Sequence, residues 1–333
     1  GSTRSAMLFM GTIPSYAGPV RSARVPMGSL RELWDSAWVF YGWQNWAKGP
    51  NLVVDVDDWA LSVHSDARQK GRWVFPFIEG TERNYADLFH RENDGEHVAP
   101  HNVQINMNAV ASLFTSESTK HPFKFTETGL DRGVDVSAIT INYKTTNPAY
   151  ISSYEYNEMT GLYERYRNGA PYYDALTGAQ TEYANVIVLR TDVSWYNNAP
   201  QRPVIQLVGQ GVAEIFQNGK YIRGTWVRTH DGKTGDDAKS LPARMIFFDE
   251  NGEELEMKVG KTFIQIVNND QAVIVNAGEQ IEGATAQATP APTATPKPTR
   301  TPKPTRTPKA SANATPAPVE GEDNADEDVS FGG

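Results

Sequence analysis

Cysteine is absent from the whole 333-residue chain, which excludes disulfides, thiolate zinc sites and a cysteine nucleophile together. The absence is compatible with an exported protein of a bacterium that does not rely on disulfides. Long apolar runs are also missing. The longest are strand-sized, so no segment reads as a membrane span. There is no initiating Met and no leader peptide, and the first residue reads as a fragment boundary. Positive charge is in deficit: 31 Lys and Arg against 40 Asp and Glu give a formal net charge of −9. A chain of that sign, with no basic patch in its folded part, is not expected to bind nucleic acid. A G-x-S-x-G elbow, a phosphate loop and a dinucleotide fingerprint are all lacking, so no cofactor is expected.

What is present is a globular core and a tail. Hydrophobic residues make up 39% of the chain, with eight Trp, fourteen Tyr and thirteen Phe, enough for a packed interior. Length alone sets a prior of about two domains. The last block, residues 283–333, is a Thr/Pro-rich spacer containing two copies of TPKPTR and the start of a third. Such a segment favours extended polyproline II and cannot bury a core. Its first part is basic, through Lys297, Arg300, Lys303, Arg306 and Lys309; its end is acidic, through Glu320, Glu322, Asp323, Asp326, Glu327 and Asp328. It reads as a disordered tail, either inert or reaching across a cell wall.

Residues 1–133 read as a mixed α/β domain. RSAMLFM and AWVFYGW are strand-length apolar runs. Ser29 and Glu32 in SLRE form a capping box that predicts a helix over LRELWDSA. MNAVASLF predicts a second helix, entered from the extended APHNVQIN. Residues 134–282 read as a mostly antiparallel β domain of sequence-adjacent hairpins. VSAITINYKT alternates. SYEYNEMTGLYERYR folds back at Thr160-Gly161. Asn218-Gly219 and Asn251-Gly252 suit tight turns that need positive φ. KTFIQIVN and QAVIVNA close the sheet. The fold class expected is therefore α+β.

In GPVRSARVP, Arg21 and Arg24 lie three residues apart between two prolines, a stiff mounting from which two guanidinium forks could grip a carboxylate or phosphate. They could equally brace loop carbonyls or a neighbouring acid. Asp55, Asp57 and Asp58 in DVDDW suggest a hard cation, or with Glu79 a glycosidase dyad, but the glycine and terminal glutamate of a calcium loop are missing. His90 and His97 flank RENDGE without further fixed ligands, so no metal site is assigned. Tyr154, Tyr156, Tyr163, Tyr166, Tyr172, Tyr173, Trp195 and Trp226 could present ring faces to sugar or peptide. Strand alternation instead places most of them in the core. Asp174 before ALTG reads as a turn acceptor, with Gly178 in the special conformation.

Several separated stretches occur in a recognisable order: STRSAMLFM, GPVRSARVP, APHNV, YEYNEMTGLYERYRNGAPYYDALTG, ANVIVL, GQGVAEIFQNGKYIRGTW and FFDENGEELEMKVGKTFIQIV. In this the chain resembles the YerB-like lipoproteins, bacterial envelope proteins of unknown function, from Ser2 to Val267. The resemblance implies an extracytoplasmic protein tethered by an N-terminal lipid anchor that is not in this sequence. It also implies further strand sequence before STR, so the first domain is expected to be truncated at its start. At Tyr172 in NGAPYYD, many relatives have a His. The resemblance adds Arg4, His101 and Asn102 to the arginine pair as a candidate binding patch. Three readings stay open. The first is a binding protein for an anionic cell-wall polymer or an envelope protein; the second is a hydrolase or transferase with His101 as acid or base and Asp35 orienting it; the third is a purely structural interaction module.

Overall fold

The run NVIVLRT is a strand, Asn185–Thr191, with all seven residues buried, and the computed structural model is organised around it. It describes residues 4–9, 11–24, 26–27, 30, 33, 36–42, 77–81, 85–114, 123–144, 147, 150–195, 203–228, 245–276 and 278–283. Gly1–Gln287 is one structural unit and Ala288–Gly333 another; the Thr/Pro-rich tail lies outside the described residues, apart from Gly283 at its start.

A strand loses the usual apolar/polar alternation when both of its faces are covered. Here Ile187 and Leu189 enter one core with Ile215, Trp226, Phe247, Leu130 and Leu33. Val186 and Val188 enter another with Ile139, Ile141, Tyr154, Tyr163 and Phe216. The sheet containing this strand runs in the order Ile246–Phe248, Lys220–Arg228, Gly209–Gln217, Asn185–Thr191, Thr262–Asn268. The facing sheet is ordered Ala170–Pro171, Leu162–Arg167, Ile151–Asn157, Ala138–Asn142, Val273–Val275, Glu279–Ile281. The side away from that second sheet is covered by Leu130, Leu207, Met245 and Leu255, and by Leu33 from the first part of the chain. Burying a leucine such as Leu33 contributes about 2 kcal/mol.

The expected hairpins form where the turn is local. Gln217 pairs with Lys220 across Asn218-Gly219, both at positive φ, as a two-residue loop requires. Tyr163 pairs with Tyr156 and Arg165 with Tyr154, but that loop has four residues between Asn157 and Leu162, closed by Gly161 N donating to Asn157 O at 2.8 Å. At Asn251-Gly252 only the glycine has positive φ, within a turn in which Gly252 N donates to Asp249 O at 3.1 Å. KTFIQIVN and QAVIVNA do not close one sheet. Thr262–Asn268 runs parallel to Asn185–Thr191, whereas Val273–Val275 pairs antiparallel with Ala138–Asn142 in the facing sheet. Central burial on both sides favours that parallel pair.

The mixed α/β expectation for the first part of the chain is corrected. Its described residues form short strands: Tyr16–Ala17, Val103–Asn106 and Phe89–Arg91 in one sheet, and Trp38–Phe40 parallel to Phe77–Glu79 in another. The one α-helix with both ends described is Met107–Ser112, capped by Asn106 Oδ1, which accepts from Ala109 N at 3.0 Å. Six residues are too few to form a helical layer; propagation beyond a costly first turn is what stabilises helices. The helix expected over LRELWDSA, with its Ser29–Glu32 box, falls mostly outside the described residues. Residues 4–9 form no strand, and Met7 is exposed. The protein is mostly β.

Packing at the sheet centre is tight enough to test. Trp226 is wholly buried and its indole Nε1 donates to Arg190 O at 2.8 Å. Gly211 lies opposite it in the pairing, and a Cβ there would come within 2.5 Å of that Nε1 and 2.6 Å of Arg190 O. Gly211→Ala is expected to lower unfolding stability by about 2–3 kcal/mol through overpacking and loss of the buried hydrogen bond. Urea denaturation with an unchanged m-value checks this, and wild-type stability in the variant would refute it.

Candidate functional site

GPVRSARVP is held between two strands. Val20 N donates to Val103 O at 2.7 Å, Tyr41 N to Arg21 O at 3.1 Å and Ala23 N to Gly42 O at 2.9 Å. The Gly18-Pro19 bond is cis, and a Cβ on Gly18 would lie 2.1 Å from Oε1 at the end of the Gln104 side chain, which would have to move aside. This path carries Arg21 to His101, eighty residues away in sequence. Arg21 Nη1 contacts Nδ1 of the imidazole and lies 3.3 Å from Nε2.

Arg4 and Arg24 converge on a carbonyl of the same loop. Arg4 Nη1 donates to Ser22 O at 3.3 Å; Arg24 Nη1 donates to Ser22 O at 3.4 Å and to Ala23 O at 2.7 Å. Burial first, then the like charges of Arg24 and Arg21, lowers the Arg4 pKa to about 10. Three cations therefore gather around one short segment. Among the described residues, no carboxylate pairs with Arg4 or Arg21. Arg91, which nothing in its spacing marked out, lies over the Tyr41 ring at 5.1 Å.

Of the five residues expected to form the patch, Arg4, Arg21, Arg24 and His101 come together. Asn102 is buried and engaged internally: its Oδ1 accepts from Arg91 Nη1 at 2.8 Å and its Nδ2 donates to Glu92 O at 2.9 Å. Ser22, whose carbonyl the arginines share, carries no sequence signal, because any residue offers a carbonyl. Asp35, Asp55, Asp57 and Asp58 lie outside the described residues. Glu79 is a brace. Its carboxylate is buried and accepts from Gly42 N at 2.6 Å, Thr81 N at 2.8 Å and Thr81 Oγ1 at 2.5 Å. It thereby fixes the turn whose Gly42 carbonyl holds Ala23.

The histidines near RENDGE separate. His90 packs edge-on against Tyr16 with ring centroids 5.4 Å apart. His97 joins Asp94 and Glu92, three donors within 4.8 Å of one another. His97 Nδ1 contacts Asp94 Oδ2 and lies 3.6 Å from Glu92 Oε2, while Asp94 Oδ1 accepts from His97 N at 2.8 Å and Glu96 N at 2.9 Å. A divalent cation could use this trio, but internal hydrogen bonds already account for its arrangement. The signal that could have found it is the i, i+3 spacing of Asp94 and His97. In the β domain, Tyr154, Tyr163 and Trp226 are core residues as expected, whereas Tyr173 and Trp195 are exposed. Asp174 is the turn acceptor, taking Thr177 N at 2.8 Å and Thr177 Oγ1 at 2.9 Å, with Gly178 at positive φ.

Comparison with known proteins agrees with this architecture. Residues 1–120 match the family described as "Protein of unknown function (DUF3048) N-terminal domain", and residues 139–264 match its "C-terminal domain". The chain is 22% identical over 284 residues to a Bacillus subtilis (strain 168) protein named "Putative lipoprotein YerB", covering 84% of this chain and 75% of that one. It is similar in fold to the crystal structure of YerB protein from Bacillus subtilis, with a TM-score of 0.55 and 22% identity over 76% of this chain and 75% of the other.

Two outcomes follow from the geometry. Glu79→Ala is expected to cost about 3 kcal/mol, because three charge-assisted hydrogen bonds to a buried carboxylate are lost; stability within 1 kcal/mol of wild type (about 0.7 of a decade in population) would show that the brace is unnecessary. The exposed Asp94 carboxyl is held down at about 2, chiefly by the His97 backbone N–H, and the bond to Asp94 raises the His97 imidazole above its ordinary value. Titration by NMR should show His97 keeping its proton to higher pH than a free histidine. Asp94→Asn should return it to the ordinary range.

Proposed function

Because the chain belongs to the DUF3048 family of proteins of unknown function, with a named lipoprotein among its relatives, we propose that it is an extracytoplasmic envelope protein that binds an anionic cell-wall component. The binding surface is the patch of Arg4, Arg21 and Arg24, with His101 holding Arg21. One observation carries this reading: the Arg4 guanidinium is half-buried beside the like charges of Arg24 and Arg21, and an anion at Arg4 would offset that repulsion. Loop residues on a rigid scaffold commonly carry binding functions. Restrained arginines favour planar oxyanions, since less freedom is lost as each paired hydrogen bond forms. Among the described residues, no helix is long and apolar enough to cross a membrane, so tethering in this reading falls to a lipid anchor.

Retention on purified anionic cell wall tests the proposal. Arg21→Ala with Arg24→Ala should reduce retention at least tenfold (about 1.4 kcal/mol) while the fold persists, and added salt should weaken wild-type retention. Arg4→Gln should also weaken it yet leave the ligand-free protein at least as stable, because a desolvated like charge is removed. Equal retention by the arginine variants, or release of a wall fragment as product, would sink the binding reading.

A further inference from the structure

The face between the two sheets of the β domain holds a second cation with no acid beside it. Arg165 lies on Leu162–Arg167, opposite Tyr154. Its guanidinium carbon is 4.3 Å from the Tyr172 ring centroid and 4.6 Å from that of Phe263. Two rings therefore meet the group, and Phe263 is in turn packed against Tyr183 at 5.1 Å and Tyr154 at 5.9 Å. Its Nε is enclosed and has no hydrogen-bond partner. Arg132, Arg190 and Arg223 each end on a carboxylate, but among the described residues none pairs with Arg165. The nearby phenols of Tyr143 and Tyr154 are already engaged by Gln265, which also donates to Ser152 Oγ at 3.1 Å.

We propose that Arg165 is the charged end of a second binding site, for a ligand whose compact oxyanion, a carboxylate or a phosphate group, is attached to an apolar or ring-shaped body. Rings over a guanidinium attract its charge but satisfy none of its in-plane donors. The remaining edge suits an acceptor pair, which is what carboxylate and phosphate offer. Arg165 and Tyr172 are both partly exposed, so the edge is open to a ligand, and the Tyr172 ring offers contact to its body. This site shares no residue with the arginine loop of the first module and stands independently of the role given to that loop.

The test uses the full 333-residue chain labelled with nitrogen-15, observing the arginine Nε–H signals. Sodium benzoate, sodium acetate and sodium phosphate are titrated against sodium chloride at matched ionic strength. The Arg165 signal is identified by the displacement it shows when Tyr172→Leu removes a ring current. A saturable shift of that signal with benzoate or phosphate and none with chloride is the expected result. Tyr172→Leu should weaken the apparent affinity severalfold; Arg165→Lys removes the reporter signal, and its titration, followed on the backbone amide signals that respond in the wild type, should show an affinity at least tenfold weaker. A response to carboxylates alone assigns a carboxylate ligand, and a response to phosphate alone a phosphorylated one. If Arg165→Lys does not fold, the direct shift and the Tyr172→Leu comparison still decide. Absence of any saturable shift overturns the proposal, as does a shift equal in chloride or one abolished by Arg21→Ala with Arg24→Ala but unchanged by Tyr172→Leu.

Discussion

A strand with both faces covered must still satisfy the one full charge it carries, and the β domain is built to that constraint. Arg190 is fully buried on Asn185–Thr191. Its Nε donates to Glu214 Oε1 at 2.7 Å, and its Nη1 donates to the carbonyls of Gln271 at 2.7 Å and Asn269 at 3.1 Å. Glu214 is fully buried as well; it also accepts from Arg223 Nη1 at 3.3 Å and from the Tyr221 hydroxyl. Removing one member of such a pair typically costs 3–5 kcal/mol, because the other is left uncompensated away from water. The pair therefore fixes the register of three neighbouring strands. Through Arg223, which donates to Glu282 O at 2.8 Å, it also fixes where the last described residues leave the sheet.

That framework explains why the candidate binding groups lie where they do. On Asn185–Thr191 the interior cation Arg190 leaves Nη2 unpaired yet still ends on a carboxylate and two carbonyls. Exceptions stand out for that reason. Arg165 reaches only rings, and in the first module Arg4 and Arg21 reach a carbonyl and an imidazole. Buried or half-buried cations without acids have a cost in the free protein, and an anionic partner is the simplest way to relieve it.

The first module is organised differently. Its core is small: Ile78, Ile105, Met107 and Val110, with partly buried neighbours such as Phe9 and Phe89. It fixes its loops by backbone hydrogen bonds and by the Glu79 brace more than by burial. Loops held in this way can present several guanidinium groups at one point, because the conformational cost is met by carbonyls and amides in place of apolar contact.

Local signals determined the local structure. Asn218-Gly219 specifies a two-residue turn by the φ it needs, Asp174 specifies its own turn by where its side chain can reach, and Asn106 before MNAVAS caps a helix. The quoted stretches in their order were enough to place the chain in its family, whereas the burial of NVIVL on both sides was visible only in the structure. Tertiary structure alone decided the rest. Pairing Asn185–Thr191 in parallel with Thr262–Asn268, drawing Arg21 to His101, and closing Phe263 and Tyr172 over Arg165 are contacts between residues far apart in the chain or on different sheets. No spacing encodes them. They follow from which apolar faces must be covered together, and that is settled only when the whole core packs.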